Sequence, residues 1–417
     1  MPHPLAPVGG GAEARGPSDV TSARLRDDTI TAAAGVLADI FPRQAGGALT
    51  PPPRRILVLK PCCLGDLILA TATLRALRLA FPNAMIDMAA GASGIAARGN
   101  QRLTHRVDIG RVGLPGAPRR SLAAVALALR PFRYDTAITL DRSPLIGMIP
   151  LLAGIQRRIG LDSGGRGFPH TLRVPALPDA PRHEAEVYLD TLRAIAVQPE
   201  APRLEFFPAP DDEAAAGAAL PDPGGRPLAI LHAAGGVNPG MTLLSKRWPP
   251  ERFAALADRL IREHDAVAVL VGGPDDTGVS AQVVGAMRGA ALDLTGRLSF
   301  GALAALIRRA AVYVGNDTGA THLAVAMDAP TVMVMGPTDP RRYGPYRPTA
   351  PATVAAACPP DARPEDYVAL HLANKQDIGN AKAQRRKEEQ KTLTTENVSV
   401  EQVYTAAQRV MEAGHAP

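Results

Sequence analysis

The chain has little cysteine, few aromatic residues and no long apolar run. Its three cysteines, Cys62, Cys63 and Cys358, form no disulfide framework, so the fold must rest on a core and not on cross-links. The adjacent pair Cys62-Cys63 has the wrong spacing for a CxxC chelate and reads as plain buried or half-buried thiols. Aromatic residues make up 4% of the chain, too few for a base-stacking surface, and no nucleic-acid partner is expected. No stretch approaches the ~20 apolar residues of a membrane span. The nearest, Pro144 to Ile155, is short and interrupted by Pro150 and Gly154. Met1 to Ala12 lacks the basic start and apolar core of a secretory signal, so a cytoplasmic protein is expected.

What is present is hydrophobic material for large cores, 46% of 417 residues, and a length that predicts two domains. The formal charge of +6 is unevenly distributed. Residues 54–207 hold 21 Lys+Arg against 12 Asp+Glu, a balance of +9, while residues 208–417 hold 21 against 23. An anionic partner for the first half is one reading, and scattered solvated arginines are the other.

Residues 1–53 are rich in Gly, Pro and Ala and read as a loose tail with one helix over Asp19 to Phe41. A strand over 56–60 then leads to a helix over 67–80. Strands follow near Met85 to Ala89 and Thr136 to Leu140, with helices over Ala123 to Leu129 and Glu184 to Ala196. Pro208 to Pro227, rich in Pro, Gly and Asp around a short Ala-rich segment, reads as a domain join, its linker placed at 208–225. The pattern then restarts with strand 228–231, helix 249–263, strand 266–271, helix 300–310, strand 312–314, helix 318–327 and strand 331–335. Strands alternating with helices in two arrays predict an α/β protein with parallel sheets and a ligand site in the cleft between them. Residues 373–391 are polar and charge-dense, and Val400 to Met411 reads as a closing amphipathic helix.

Three stretches carry chemistry. Gly65-Asp66 sits where a strand meets a helix, and its carboxylate either caps the helix or accepts a proton. Ser245 and Lys246, just before the helix near Pro249, can hold a diphosphate or form an exposed basic turn. Asp317, Thr318, Gly319, Ala320 and His322 lie between a strand and a helix. That turn suits phosphate and sugar hydroxyls, or is an Asp-capped turn with a core histidine. Asp275 and Asp276, after strand 266–271, are candidates for ribose hydroxyls. The cleft-forming loops carry no DxD-like metal motif, and neither metal nor cofactor is expected.

"LVLKPCCLGDLILATATLRALR", "SKRWPPERFAALADRL" and "VGNDTGATHLAVAMDAPTVMVMGPTDP", in this order and spacing, resemble glycosyltransferase family 9, which holds the ADP-heptose:lipopolysaccharide heptosyltransferases. The resemblance runs from about Arg54 to Tyr346. It implies a GT-B fold, two Rossmann-like domains facing across a cleft: an acceptor-binding domain at 54–207, a nucleotide-sugar domain at 226–372, and a charged segment with a C-terminal helix at 373–417. It further implies an inverting transferase with Asp66 as general base, Gly65 and Lys60 on the acceptor side, and Ser245, Lys246, Asp317, Thr318, Gly319, Ala320, His322, Asp275 and Asp276 on the donor. The implied donor is ADP-heptose and the implied acceptor an anionic lipopolysaccharide-core glycolipid, with peripheral contact at the inner face of the inner membrane. Another nucleotide-sugar for capsule or other surface glycan, a sugar-nucleotide epimerase, and a non-catalytic nucleotide-sugar-binding subunit are the alternatives. The stretch "LHAAGGVNPGMTLLSKRW" is longer than the family's usual short Pro-Gly turn before its lysine, and Cys358 to Lys391 departs from the family's usual ending.

Overall fold

The computed structural model describes residues 41, 43–110, 112, 121–176, 182–238, 241–360, 362 and 393–414. Two six-stranded parallel sheets organise them. The first holds β1 (Arg55–Leu59), β2 (Met85–Ala90), β3 (His105–Asp108), β4 (Thr136–Thr139), β5 (Arg157–Asp162) and β6 (Leu172–Pro175), in the order β3-β2-β1-β4-β5-β6. The second opens with β7 (Leu228–His232), which is followed by a small hairpin of β8 (Val237–Asn238) and β9 (Met241–Thr242) outside the sheet. With β10 (Val267–Leu270), β11 (Ala291–Asp293), β12 (Val312–Asn316), β13 (Thr331–Val334) and β14 (Val354–Ala357), its order is β11-β10-β7-β12-β13-β14. Both sheets therefore have the doubly wound Rossmann order, reversing beside their first strand, between β1 and β4 and between β7 and β12. The fold is GT-B, two Rossmann-like domains.

Helices α1 (Leu64–Ala80), α2 (Leu122–Leu129), α3 (Pro144–Leu152) and α4 (Glu184–Arg193) cover the first sheet. α5 (Pro210–Ala219) forms the Ala-rich segment of the join. α6 (Pro250–His264), α7 (Thr277–Ala286), α8 (Phe300–Ile307), α9 (Gly319–Ala326), the short α10 (Pro340–Tyr343) and α11 (Val400–Gly414) complete the chain. Alternation along β1 sorts its side chains. Ile56 and Val58 enter the core beside α1, whereas Leu57 and Leu59 enter a separate core with Val125 of α2 and Ile146 of α3. All four are fully buried, the signature of a strand covered on both faces.

Several elements go beyond the sequence reading. α1 begins at Leu64, three residues before the expected start. β3, β5, β6, α3, α7, β11 and β14 had no counterpart in it. β3 reads His-Arg-Val-Asp on a sheet edge, without apolar alternation. The apolar run near Pro150 is α3, a helix with proline at its first turn and a second proline inside. Residues 43–53, read as loose tail, are tied down: Gln44 N donates to Thr171 O at 2.7 Å, and Gly47 N to Ala194 O at 2.9 Å. α11 belongs to the second domain, burying Val403, Tyr404, Ala407 and Val410 in its core. The helix read over 19–41, apart from Phe41, and the charged stretch 373–391 lie outside the described residues.

Candidate active site

One strand-to-helix turn in each domain carries the central candidates. In the first, β1 ends at Leu59 and α1 starts at Leu64. The connecting Cys62 and Cys63 are joined to each other through their sulfurs, which corrects the reading of them as plain thiols. Spacing rules for chelating pairs do not address a bond between neighbours. Cys63 occupies the N-cap with φ 75° and offers no side-chain cap. Asp66 is therefore not a cap but an acid in the first turn, where the positive helix end favours its charge. Its Oδ2 lies 3.0 Å from Lys60 Nζ, and the same ammonium lies 3.4 Å from Asp141 Oδ2. Burial alone would lower the Lys60 pKa, but the two carboxylates overcome it and hold the group above its ordinary value, so it stays charged. The lysine side chain is 8% exposed and the Asp66 side chain 30%. The ammonium is thus buried while the carboxylate stays half open.

In the second domain β12 ends at Asn316 and α9 starts at Gly319. The cap here is Thr318, whose Oγ1 accepts from Thr321 N, and not Asp317. Asp317 is thereby left free to pair elsewhere. Its Oδ2 accepts from Lys246 Nζ and from Thr338 Oγ1, each at 2.6 Å. Lys246 is buried, so the reading of an exposed basic turn fails. Burial alone would raise the Asp317 carboxyl, and the Lys246 ammonium beside it outweighs that and holds it below the usual range. His322 Nε2 lies 3.9 Å from Asp317 Oδ1. Burial pushes that imidazole down to about 4, so it is neutral at physiological pH. Its Nδ1 is buried without a hydrogen-bond partner. Asn316, which the sequence reading did not single out, fixes the whole turn. Its Oδ1 accepts from Trp248 N at 3.0 Å, and its Nδ2 donates to Ala233 O and Ala234 O. One amide thereby ties the lysine loop, the loop after β7 and the β12 turn together.

The two turns touch. A Cβ on Gly319 would lie 3.0 Å from Gly65 N and 2.9 Å from Leu64 Cβ, and one on Gly65 would lie 3.1 Å from His322 Cδ2. Only residues without side chains let the domains approach this closely. Beside the contact is a cleft of about 550 Å³ lined from both domains, by Leu64 on one side and Asp275, Asp317, Thr318, Gly319 and Ala320 on the other. Its size and the amides at the start of α9 suit a phosphorylated ligand.

The remaining candidates separate. Asp275 faces the cleft. Asp276 also lines it but has structural bonds: Oδ2 accepts from Gly273 N at 2.8 Å and lies 3.6 Å from His232 Nε2. His232, at the C-terminal end of β7, was missed by the sequence reading. Ser245 joins the scaffold through its carbonyl, which accepts from Thr395 Oγ1 at 3.2 Å. Among the described residues, no group of three His, Cys, Asp or Glu side chains is placed to hold a metal ion.

A third carboxylate links the domains. Glu184, at the start of α4, is 2% exposed and accepts from Arg142 Nη1 at 2.5 Å in its own domain and from Arg342 Nη2 at 3.0 Å in the other. Burial would raise its pKa, but the Arg142 and Arg342 guanidiniums bring it down to about 2. Next to it His183 donates from Nε2 to Gly344 O and stacks on Tyr346, which also belong to the second domain. Asp141 and Arg142 follow β4 as Lys60 to Asp66 follow β1. A search for charged residues directly after each strand would have found them.

Comparison with known proteins agrees with this geometry. Residues 122–367 match the family model of glycosyltransferase family 9 (heptosyltransferase). Lipopolysaccharide heptosyltransferase 2 of Salmonella typhimurium is 28% identical over 304 residues, covering 69% of this chain and 84% of the relative. A glycosyl transferase family 9 structure from Veillonella parvula superposes with a TM-score of 0.70 at 22% identity, covering 88% of this chain and 99% of that one. The E. coli heptosyltransferase WaaC with ADP-2-deoxy-2-fluoro heptose gives 0.56 at 18% identity, covering 80% and 99%. The Asp66 turn lies before the residues that match the family model, whereas the Asp317 turn, Lys246 and the Glu184 link lie within them. This chain belongs to glycosyltransferase family 9, and is a glycosyltransferase.

Proposed function

We propose that the protein transfers heptose from ADP-heptose to a lipopolysaccharide-core acceptor with inversion at the anomeric carbon. The observation that carries this reading is the contact between the two turns. It brings the turn of Asp66, a half-buried carboxylate, against a donor-sized cleft lined by Asp317 and the N-terminus of α9, with Lys246 bonded to that aspartate. The solved relative with an ADP-heptose analogue and the lipopolysaccharide heptosyltransferase of Salmonella typhimurium support the donor and acceptor classes.

In this mechanism Asp66 accepts the proton of the acceptor hydroxyl as its oxygen attacks the anomeric carbon. Lys60 holds Oδ2 and orients the group, leaving the other oxygen for the proton. The departing ADP takes the bonding electrons. Its diphosphate charge is met by Lys246 and the amides of Thr318, Gly319 and Ala320, an arrangement that requires no metal. Asp317 receives the donor-sugar hydroxyls once the diphosphate has drawn Lys246 away from it.

The test is a donor panel of ADP-heptose and GDP-, UDP- and dTDP-sugars with a heptose-deficient lipopolysaccharide core as acceptor. Turnover with ADP-heptose alone, with inverted product configuration by NMR, is expected. Turnover with another nucleotide-sugar, or retention of configuration, would sink the reading.

A further inference from the structure

The face of the first domain turned away from the second has a composition unsuited to water. α2 reads Leu-Ala-Ala-Val-Ala-Leu-Ala-Leu, without one polar side chain, yet Ala123, Ala124, Leu127 and Ala128 are exposed. α3 packs beside it and is likewise apolar throughout. A surface helix ordinarily carries charged residues on its outer face, and an all-apolar helix is ordinarily buried. Nine large hydrophobic side chains are exposed among the described residues. Four of them gather here: Leu127 at 63%, Leu145 at 46%, and Phe132 and Leu152 at 39% each. The other five lie on other segments, Val237 and Leu244 near each other at the hairpin after β7.

The charge on the two helices and on the segments that follow them has one sign. No Asp or Glu occurs over 122–134 or 143–161. Arg130 and Arg133 are exposed at the end of α2, and Arg130 Nη2 donates to Leu152 O, tying the ends of the two helices together. The nearest carboxylate in sequence, Asp135, is occupied: Oδ2 accepts from the backbone of Arg54 and Arg55, and Oδ1 from Thr136 Oγ1.

We propose that the α2–α3 face is a docking surface for an anionic phospholipid bilayer. Apolar side chains enter the headgroup boundary while the arginines meet lipid phosphates, the usual composition of an interfacial helix. Pairing with a second copy of the chain fits less well, because a two-fold contact would bring the arginines of both copies together with no carboxylate on either helix to offset them. Both helices start at the cleft end of the sheet, and Leu145 follows closely on Asp141, which shares Lys60 with Asp66. Arg130, Phe132, Arg133 and Leu152 lie at the other ends of these helices, beside the start of β1, so the face runs from the cleft end of the sheet to its far end. Such docking deepens the reading of the acceptor as a lipid-borne glycan, but its test needs neither donor nor acceptor.

The full chain is mixed with vesicles of phosphatidylcholine alone and of phosphatidylcholine with an equal part of phosphatidylglycerol, and bound protein is measured by flotation. Binding to the mixed vesicles only, weakened by added salt, is expected. Leu127→Glu and Arg133→Glu should each lower the partition coefficient about tenfold. Both variants should retain the melting temperature and the affinity for ADP, so a loss of binding is not a loss of fold. Failure of the wild type to bind mixed vesicles, equal binding to both vesicle types, or binding unaffected by either substitution would each overturn the proposal. So would a concentration-dependent dimer of the wild type that Leu127→Glu converts to monomer, since the face would then be covered by a second copy. Loss of vesicle binding with a normal donor panel would leave the proposed transfer untouched.

Discussion

Two lysine–aspartate pairs face each other across this molecule, and they differ in one respect. Lys60 and Asp66 are 3.0 Å apart with the carboxylate partly open, and the lysine is shared with Asp141. Lys246 and Asp317 are 2.6 Å apart, both buried, and the same carboxylate oxygen also accepts from Thr338. The same chemistry therefore appears once half open and once sealed. A half-open carboxylate on a buried ammonium can exchange protons with a ligand while staying oriented. A sealed pair cannot react until a ligand competes for one partner, because separating it leaves a buried charge alone. In the proposed mechanism the first pair serves as the working base and the second as a latch that a diphosphate opens.

The largest effect should come from the open pair. Asp66→Asn keeps the size and the bond to Lys60 but cannot take a proton. Turnover should fall by about 10²–10⁴, with ADP affinity unchanged by calorimetry, because the proposed nucleotide contacts lie in the other domain. A variant that retains wild-type turnover would show Asp66 to be only a favourable first-turn acid, and the contrast between the pairs would lose its meaning.

The sealed pair makes an asymmetric prediction. Lys246→Ala removes the diphosphate's cation and should weaken ADP binding by about tenfold or more, the scale of a charge-assisted hydrogen bond. Asp317→Ala removes the competitor for that cation, so ADP should bind at least as well as before, while turnover with the nucleotide-sugar falls. Each single change leaves a buried charge without its partner and should destabilise the free protein by about 3–5 kcal/mol, the double change by less than the sum. Equal losses of ADP affinity in the two single variants would mean that the pair acts as one unit.

The two domains were about equally legible, with β11 and β14 missed in the second and β3, β5 and β6 in the first. β7, β10, β12 and β13 are short apolar runs bounded by Gly or Pro, and each appeared in the sequence as a strand. In the first domain β3, β5 and β6 carry arginine, aspartate or histidine in strands of four to six residues, so their periodicity is lost. Asp66, Lys246 and Asp317 were visible because each sits at a strand-to-helix turn or beside a marked helix start. Their pairing was not visible, since Lys246 and Asp317 are 71 residues apart in sequence. Glu184 was invisible as a link for the same reason. A glutamate opening a helix looks ordinary until Arg342, 158 residues on, is seen against it. Thr318 rather than Asp317 at the cap is a finer lesson. Both are good caps, and the choice was made by Lys246, which draws the aspartate inward.

The smallest effect concerns acid, and it tests whether the second pair is truly sealed. His322 beside Asp317 is held down to about 4 by burial, against an ordinary value of 6.5. Between those limits the unfolded chain binds a proton that the folded chain does not. The corresponding stability is complete above pH 6.5 and is lost as the pH falls toward 4, by about 1.4 kcal/mol per pH unit for each such histidine. His170, buried in the first domain and held down to about 3, contributes in the same direction and serves as a reference far from the sealed pair. Glu184 adds a later loss, since its folded value of about 2 lies below the ordinary 4.5, so its contribution disappears between those values. Melting temperature should therefore decline gently from pH 6.5 and more steeply below 4.5. His322→Gln cannot titrate and should flatten the upper part of that curve without changing the lower part. An NMR titration of the wild type that places the His322 pKa near 6.5 would show water reaching the Asp317 pair, and the distinction between an open and a sealed carboxylate would then collapse.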